Sequence, residues 1–301
     1  MRGEANHIPS IYNSLSDEEK DQTEEEYEEL LPLFVSLVRS LSDKEKKKEA
    51  LTELARLRTK IATTHAFDGF GMEYEEAIAL IQQTDGLTEL EEEKKKRLVA
   101  AVNNLIEFCV CAEYQLMCDV YEELPDFDFD NVEYDINEDD DDDPLILLCR
   151  KYNKTYLGVE NTDINYAMAI ALAWAIAEKH QTLTYMTQND DRVRPWHFAL
   201  QGFTAPKDDF PSWMIPPIEW GCRCFLVNYS GDTIVNSSDI KKVYAKYKKP
   251  SQIDDVFSES VAKCGRIFGK SHSYFKVGDK DKEILESIVE LIREDYYGKK
   301  D

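Results

Sequence analysis

A short stretch of the chain, residues 189–224, concentrates side chains that can bind a metal ion or transfer a proton. Its first charged members are Asp190, Asp191, Arg192 and Arg194. It also contains His197, Cys222 and Cys224, and zinc in proteins is bound by such imidazole nitrogens and thiolates. The residue types therefore predict a candidate zinc site, with an aspartate available as the fourth ligand.

The spacing of these residues leaves three chemical interpretations open. One residue separates Cys222 from Cys224, whereas paired cysteines in structural zinc sites usually have roughly two to four residues between them. On a strand over residues 221–226 both thiols would still face the same side, as chelation requires. Alternatively, both cysteines are small buried hydrophobic residues. In the third interpretation one thiol is a nucleophile, His197 is its base and Asp190 or Asp191 orients the imidazole.

No second site is predicted elsewhere in the chain. The sequence has no phosphate-binding loop, no dinucleotide-binding glycine pattern and no zinc-protease motif. The other histidines are isolated, and we expect them at the surface or in the core: His7, His65, His180 and His272. We assign no catalytic residue from the sequence.

Hydrophobic periodicity predicts that the first half of the chain is helical. A stripe of apolar residues runs from Tyr27 to Leu41, and Pro32 is expected at a kink or in a first turn. We expect Asp43 to cap a second helix, a short helix over residues 73–83, and a long helix from Thr88 to about residue 123.

The second half of the chain has a mixed pattern. Helical spacing is found over residues 145–156, 162–179, 238–249 and 282–297. Alternating β-forming residues predict strands over 182–187 and 225–229. The predicted fold class is therefore α+β, with a mostly helical N-terminal half and a smaller α+β C-terminal domain that has few short antiparallel strands.

The charge of the chain is confined to its first half. The formal net charge is −24 over 301 residues, but residues 1–143 contain 39 acids and 14 bases, and residues 144–301 contain 21 acids and 22 bases. A polyanion would repel the first half, so direct DNA binding is disfavoured there and stays open for the second half. No run of apolar residues is long enough for a membrane helix, and the seven cysteines are expected to be reduced thiols.

A dense acidic segment separates the two halves. Residues 126–143 contain eleven acids and no base, which is typical of a solvated, mobile linker. Aromatic and aliphatic residues alternate with the acids, so a second interpretation is that the segment docks on a basic partner or on a sheet edge. A calcium loop is not expected in residues 139–143, because the turn glycine and the spaced ligands are missing.

The order of residues in the chemically dense stretch resembles the signature of the phage Mu F-like head morphogenesis proteins, the minor head proteins of tailed phages. The residues that carry this resemblance are Thr187, Asp191, Arg192, Val193, Arg194, His197, Leu200, Gly202, Trp213, Pro216, Pro217, Trp220, Gly221, Cys222, Arg223 and Cys224. The segment from Phe257 to Phe268 and on to Tyr274 resembles the end of the same domain. The resemblance covers roughly residues 145–277 and is detailed over 187–226.

The resemblance implies a capsid component present in few copies. Such a protein would contact portal or capsid proteins in the phage head interior, with packaged DNA nearby, after assembly in the cytoplasm of the bacterial host. The signature residues would be structural, and His197, Cys222 and Cys224 remain the candidate zinc ligands. The alternative is a metal-dependent or thiol-dependent enzyme centred on the same three residues. The predicted organisation is a helical region over 1–125, an acidic linker over 126–143, a phage Mu F-like domain over 144–277 and a C-terminal helix over 278–301.

Overall fold

The computed structural model describes residues 8–129, 131–137, 140–228 and 255–298. The helix predicted over residues 238–249 lies outside these ranges. The α-helices, in chain order, are α1 (Ile8–Asn13), α2 (Asp17–Arg39), α3 (Lys44–Gly69), α4 (Tyr74–Gln82), α5 (Glu89–Glu123), α6 (Pro144–Arg150), α7 (Leu157–Ile176), α8 (Pro195–Phe198) and α9 (Lys282–Tyr297). A π-helical segment, Lys151–Tyr156, connects α6 to α7.

Side-chain caps fix where the long helices begin. Ser16 and Glu19 form a reciprocal capping box at the start of α2. Asp43 accepts hydrogen bonds from two backbone N–H groups of α3, as predicted. Thr88 and Glu91 bond each other's backbone N–H groups at the start of α5. Each cap satisfies donors that the first helical turn leaves unpaired.

The observed position of Pro32 in its helix corrects the sequence prediction. It lies inside α2 and not in a first turn, so the helix tolerates the missing N–H group of this residue. The buried stripe of α2 on both sides of it includes Leu30, Phe34 and Val38. Burial of this stripe contributes favourable free energy that offsets the cost of an interior proline.

The chain folds into two compact units. One unit takes in the residues up to 64, residues 105–162 and the residues from 273 on, and the other takes in residues 65–104 and 163–272. Each unit is therefore assembled from segments that are distant in sequence. The domain and linker boundaries that the sequence places at residues 125, 143 and 277 remain predictions.

In the first unit, a buried arginine is surrounded by acceptors. Arg58 donates to Glu113 at 2.8 Å, to Asn153 at 2.5 Å and to Glu160 at 2.6 Å. The hydroxyl of Tyr274 donates to the second oxygen of Glu160. Burial raises the pKa of Glu113 and Glu160, although Arg58 opposes that rise. This network joins α3, α5, the π-helical segment, α7 and the segment before α9.

The described part of the acidic segment packs on the first unit. Phe129 and Ile136 are buried, and the ring of Phe129 contacts Tyr121 of α5 with its centroid 5.3 Å away. Asp143 caps α6. Most of the other described acids of the segment are exposed. These residues are therefore not the fully solvated linker that the charge density predicts, because Phe129 and Ile136 are removed from water.

The second unit contains the sheet, with strands β1 (Thr182–Met186), β2 (Thr204–Pro206) and β3 (Phe225–Asn228) in the order β2-β1-β3. Both pairs are antiparallel, with Thr184 opposite Thr204 on one side and opposite Val227 on the other. The predicted fold class is confirmed: the first half is mostly helical, and a smaller α+β region with a three-stranded antiparallel sheet follows. No helix of the described ranges is long and apolar enough to span a membrane.

Candidate metal centre

The structure brings together the three residues that the sequence singled out as metal ligands. The Nδ1 atom of His197 lies 3.7 Å from Sγ of Cys222 and 3.4 Å from Sγ of Cys224. All three side chains are buried. Among the described residues, this is the group of potential ligands whose donor atoms all lie within 4.8 Å of one another. The convergence expected for a metal site is therefore present.

Short elements of the second unit position these ligands. His197 lies in the single turn of α8, whose first position is a proline, a residue that favours a helix start. Cys222 and Cys224 precede β3, which begins at Phe225. β3 begins where the strand predicted over residues 225–229 begins, so a strand over 221–226 is not present, and a turn, not strand alternation, directs both thiols towards His197.

Gly221 and Asp163 fix this turn. Gly221 has a φ of 67°, a left-handed conformation that glycine adopts without steric cost. Its N–H group donates to both carboxylate oxygens of Asp163, each at 3.0 Å. The N–H group of Cys222 donates to the carbonyl of Glu219. Burial raises the pKa of Asp163, and the hydrogen bond from Gly221 opposes that rise.

A carboxylate lies on the other side of the imidazole. The Nε2 atom of His197 is 3.3 Å from Oε1 of Glu219. Glu219 also forms an ion pair with Arg194 and accepts a hydrogen bond of 3.1 Å from the indole N–H of Trp196. Arg194 donates in addition to the carbonyl of Trp220 at 2.6 Å. The position of Glu219 is thus held from two sides, while its contact with Nε2 of His197 lacks hydrogen-bond geometry.

The electrostatics of the site distinguish its two thiols. Burial opposes charge on His197, but its contacts with Cys222 and Glu219 outweigh burial and raise its pKa to about 9. Burial raises the pKa of Cys222. The hydrogen bond from Cys222 lowers the pKa of Cys224, and burial opposes this effect. Cys224 is therefore the thiol more readily converted to a thiolate, which is the form that ligates metals.

The buried Tyr185 is next to the same thiol. Burial, together with the nearby Cys222 and Cys224, raises the pKa of its hydroxyl, which has no hydrogen-bond partner among the described residues. The backbone of Tyr185 pairs with the segment after α8: its carbonyl accepts from Gly202 at 2.9 Å, and its N–H donates to Phe203 at 2.8 Å. Gly202 has a φ of 84°, a conformation that a residue with a Cβ atom rarely adopts.

The thiol triad considered from the sequence does not form. Asp190 is directed away from His197 and bonds Arg223 through both of its oxygens, at 2.8 and 2.7 Å. Asp191 and Arg192 lie in an exposed turn. The carboxylate beside His197 is that of Glu219, so Asp190 and Asp191 are wrong as its orienting residues.

Three further signature residues, Pro216, Pro217 and Trp220, are buried near the site. Pro216 and Pro217 are buried and joined by a cis peptide bond. The Trp220 ring stacks on Phe268 with centroids 5.4 Å apart and contacts Phe257 at 5.1 Å. His272 is buried against the same tryptophan. The second segment of the resemblance therefore packs directly on the residue that precedes Gly221.

Sequence reasoning missed three residues of the site: Asp163, Tyr185 and Glu219. The one signal present was the position of Glu219 immediately before the Trp-Gly-Cys-Arg-Cys run. Asp163 and Tyr185 belong to a helix and a strand whose patterns read as core. No short-range pattern connects them with Cys222 or Cys224.

Comparison with known proteins identifies this region of the chain. Residues 150–227 match the sequence model of the family described as Phage Mu protein F like protein. The match confirms the resemblance over that segment and indicates a phage head-related protein. Neither the curated proteins nor the solved structures include a match to the chain.

Proposed function

We propose that this protein is a minor head protein of a tailed phage that acts in head morphogenesis by contacting portal or capsid proteins. It would be made in the cytoplasm of the bacterial host and kept in the head interior, with packaged DNA nearby. The observation that carries this proposal is the family match over residues 150–227. That segment contains β1, α8, β2, most of β3 and the three candidate ligands.

The geometry of the matched segment supports a structural role. Two of its signature arginines bond to residues within the same segment: Arg194 to Glu219 and the carbonyl of Trp220, and Arg223 to Asp190. The cavity lined by His197 and the two cysteines measures ≈ 10 Å³. A space of that size holds about one water molecule or one ion, whereas pockets for small-molecule substrates measure roughly 300 Å³ or more.

The same cavity weighs against the thiol-dependent enzyme. The distance from Cys224 to His197 would suit a nucleophile and its base. However, both side chains are about 2% exposed, so little of the sulfur atom is accessible to a substrate carbonyl. The metal-dependent or thiol-dependent enzyme is therefore the weaker proposal.

The acidic surface of the first unit supports a basic partner. The described acids of residues 126–142 are exposed, while Phe129 and Ile136 between them are buried. A basic surface on a portal or capsid protein would be attracted to such a segment. This attraction falls with ionic strength, because salt screens exposed charges over about 10 Å at 0.1 M.

Co-purification from phage-producing cells tests the function. A tagged copy of the full chain is expressed during head assembly, heads are purified by sedimentation, and cross-linked peptides are identified by mass spectrometry. We expect the protein in the head fraction with cross-links to portal or capsid protein. Its absence from heads, while it accumulates free in the lysate, would overturn the proposal.

A matched pair of variants tests the acidic surface. Asp140→Asn with Asp142→Asn removes two exposed charges of the acidic segment, and Glu28→Gln with Glu29→Gln removes two exposed charges of α2. We expect only the first pair to weaken partner binding and to make that binding less dependent on salt concentration. Equal effects of the two pairs would assign the attraction to net charge and not to this segment.

A further inference from the structure

We infer that His197, Cys222 and Cys224 bind one zinc ion that fastens the turn before β3 to α8. The inference concerns the folding and metal content of this chain and does not depend on the proposed role in the phage head. It stands on distances between donor atoms, on the partners of each ligand and on the charge balance of the site.

The distances between the donor atoms fit a tetrahedral ion. Zinc lies about 2.3 Å from thiolate sulfur and about 2.0–2.1 Å from imidazole nitrogen, so nitrogen and sulfur on one tetrahedral zinc ion are about 3.5 Å apart. The observed separations from Nδ1 of His197 are 3.7 Å to Cys222 and 3.4 Å to Cys224. An ion can therefore be placed among the three atoms with small side-chain adjustments.

The imidazole has a carboxylate within contact distance of its second nitrogen, on the side where a metal-binding histidine needs a partner. Its Nδ1 atom faces the thiols, and its Nε2 atom faces Oε1 of Glu219 at 3.3 Å. Metal-ligating histidines almost always donate their second N–H group to a carboxylate, a carbonyl or a water molecule. Trp196 and Arg194 in turn hold Glu219 in place, through a hydrogen bond and an ion pair.

The charges of the site balance with a dication present. Two thiolates neutralise one Zn²⁺ ion, and Arg194 neutralises Glu219. Thiolate and imidazole ligands together select zinc over magnesium or calcium, which prefer oxygen. The part of the chain that the structure describes supplies three ligands, so a water molecule would complete the tetrahedron.

Metal analysis of the full-length protein tests the inference. After purification without chelator, mass spectrometry of the metal content is expected to find about one zinc per chain. Cys222→Ser and Cys224→Ser are each expected to lower zinc affinity by more than about 100-fold, because losing a residue that only orients a ligand already costs about 10–100-fold. The matched control is Cys264→Ser, which alters an exposed cysteine of the same unit and is expected to keep the zinc.

Two measurements on the unmodified chain keep the test decisive if a variant does not fold. Cobalt added to the zinc-free protein is expected to give a thiolate-to-cobalt charge-transfer band and tetrahedral d–d bands. Alkylation followed by peptide mapping is expected to modify Cys222 and Cys224 only after a chelator is added. Zinc retained by the Cys222→Ser/Cys224→Ser variant, no charge-transfer band, or a Cys222–Cys224 disulfide that takes up no zinc after reduction would each overturn the inference.

Discussion

The Nε2 atom of His197 lies 3.3 Å from Oε1 of Glu219, on the side of the ring opposite Cys222 and Cys224. The contact is one of opposite charge and lacks hydrogen-bond geometry, and it leaves Nδ1 facing both thiols. It also makes Glu219 the residue through which the binding properties of the site are adjusted without removing a ligand.

Replacing Glu219 is therefore expected to weaken metal binding without abolishing it. Glu219→Gln removes the negative charge behind His197, and we expect a loss of about 10–100-fold in zinc affinity, the effect usual for partners that orient a ligand. Competition with a coloured zinc chelator measures the affinity. The control is Glu259→Gln, at an exposed glutamate of the same unit. Equal affinities of the two variants would show that Glu219 does not act on His197.

The second prediction concerns the buried arginine of the first unit. Arg58 is 1% exposed and is the counterion of Glu113 and Glu160. Arg58→Met leaves both carboxylates buried without their partner, so we expect a loss of about 3–5 kcal/mol in the free energy of unfolding. Urea denaturation followed by circular dichroism measures the change.

A neighbouring arginine on the same helix provides the control for this prediction. Arg56 forms ion pairs with Glu53 and Asp295 at the surface, so Arg56→Met is expected to cost about 0–1 kcal/mol. Adding Glu113→Gln and Glu160→Gln to Arg58→Met is expected to restore part of the lost stability, because the unpaired charges are then removed. Similar losses for Arg58→Met and Arg56→Met would refute the prediction.

The third prediction is a pH dependence at the start of α5. Hydrogen bonds from the side chain and backbone of Thr88 lower the pKa of Glu91 below its ordinary value of 4.5. A carboxyl group whose pKa is lower in the folded state contributes stability above its unfolded pKa and loses it as pH falls through the folded pKa. Glu91→Ala is therefore expected to be less stable than the wild type at pH 7 and to approach it in acid.

Glu92, an exposed residue of the same helical turn, gives the matched comparison for Glu91. Glu92→Ala changes the charge near the helix start equally but removes no bond to Thr88. Urea denaturation of both variants from pH 7 down to pH 3 measures the difference. If both lose the same stability at pH 7, the helix dipole and not the capping box is responsible.

The fourth prediction tests how the acidic segment is held. Phe129 is buried and Val132 is 51% exposed. Phe129→Ala is expected to cost about 3–5 kcal/mol, as for other buried aromatic residues, and Val132→Ala within about 0.5 kcal/mol of zero. Thermal and urea unfolding measure both. A negligible effect of Phe129→Ala would contradict this prediction and would show that the segment is the solvated linker that its charge predicts.

The helices show how much of the secondary structure the local sequence pattern can predict. The helix predicted over residues 282–297 has the bounds observed for α9, because its apolar stripe stands out from a polar background. The helix predicted over 162–179 instead begins at Leu157, directly after the π-helical segment. This helix is apolar on most of its circumference, so its pattern contains no signal for its start.

For the site, residue types and order along the chain were sufficient to select three candidate ligands and to find the family resemblance over residues 150–227. His197, Cys222 and Cys224 could be selected because few other side chains have their chemistry, and the ordered signature around them matched over residues 150–227. The orienting carboxylate could not be selected in this way. Asp190 and Asp191 are nearer to His197 in sequence, yet Glu219 is nearer in space.

The amino-acid sequence by itself determined the fold class, most helix positions and the identity of the three candidate ligands, since these depend on periodicity, capping residues and side-chain chemistry. Only the tertiary structure decided which carboxylate faces His197, that Asp163 holds Gly221, and that Phe129 is buried within an acidic segment. The physical reason is that these contacts join residues far apart in the chain. Their free energy depends on distance, burial and direction, and none of these is encoded in the spacing of a local pattern.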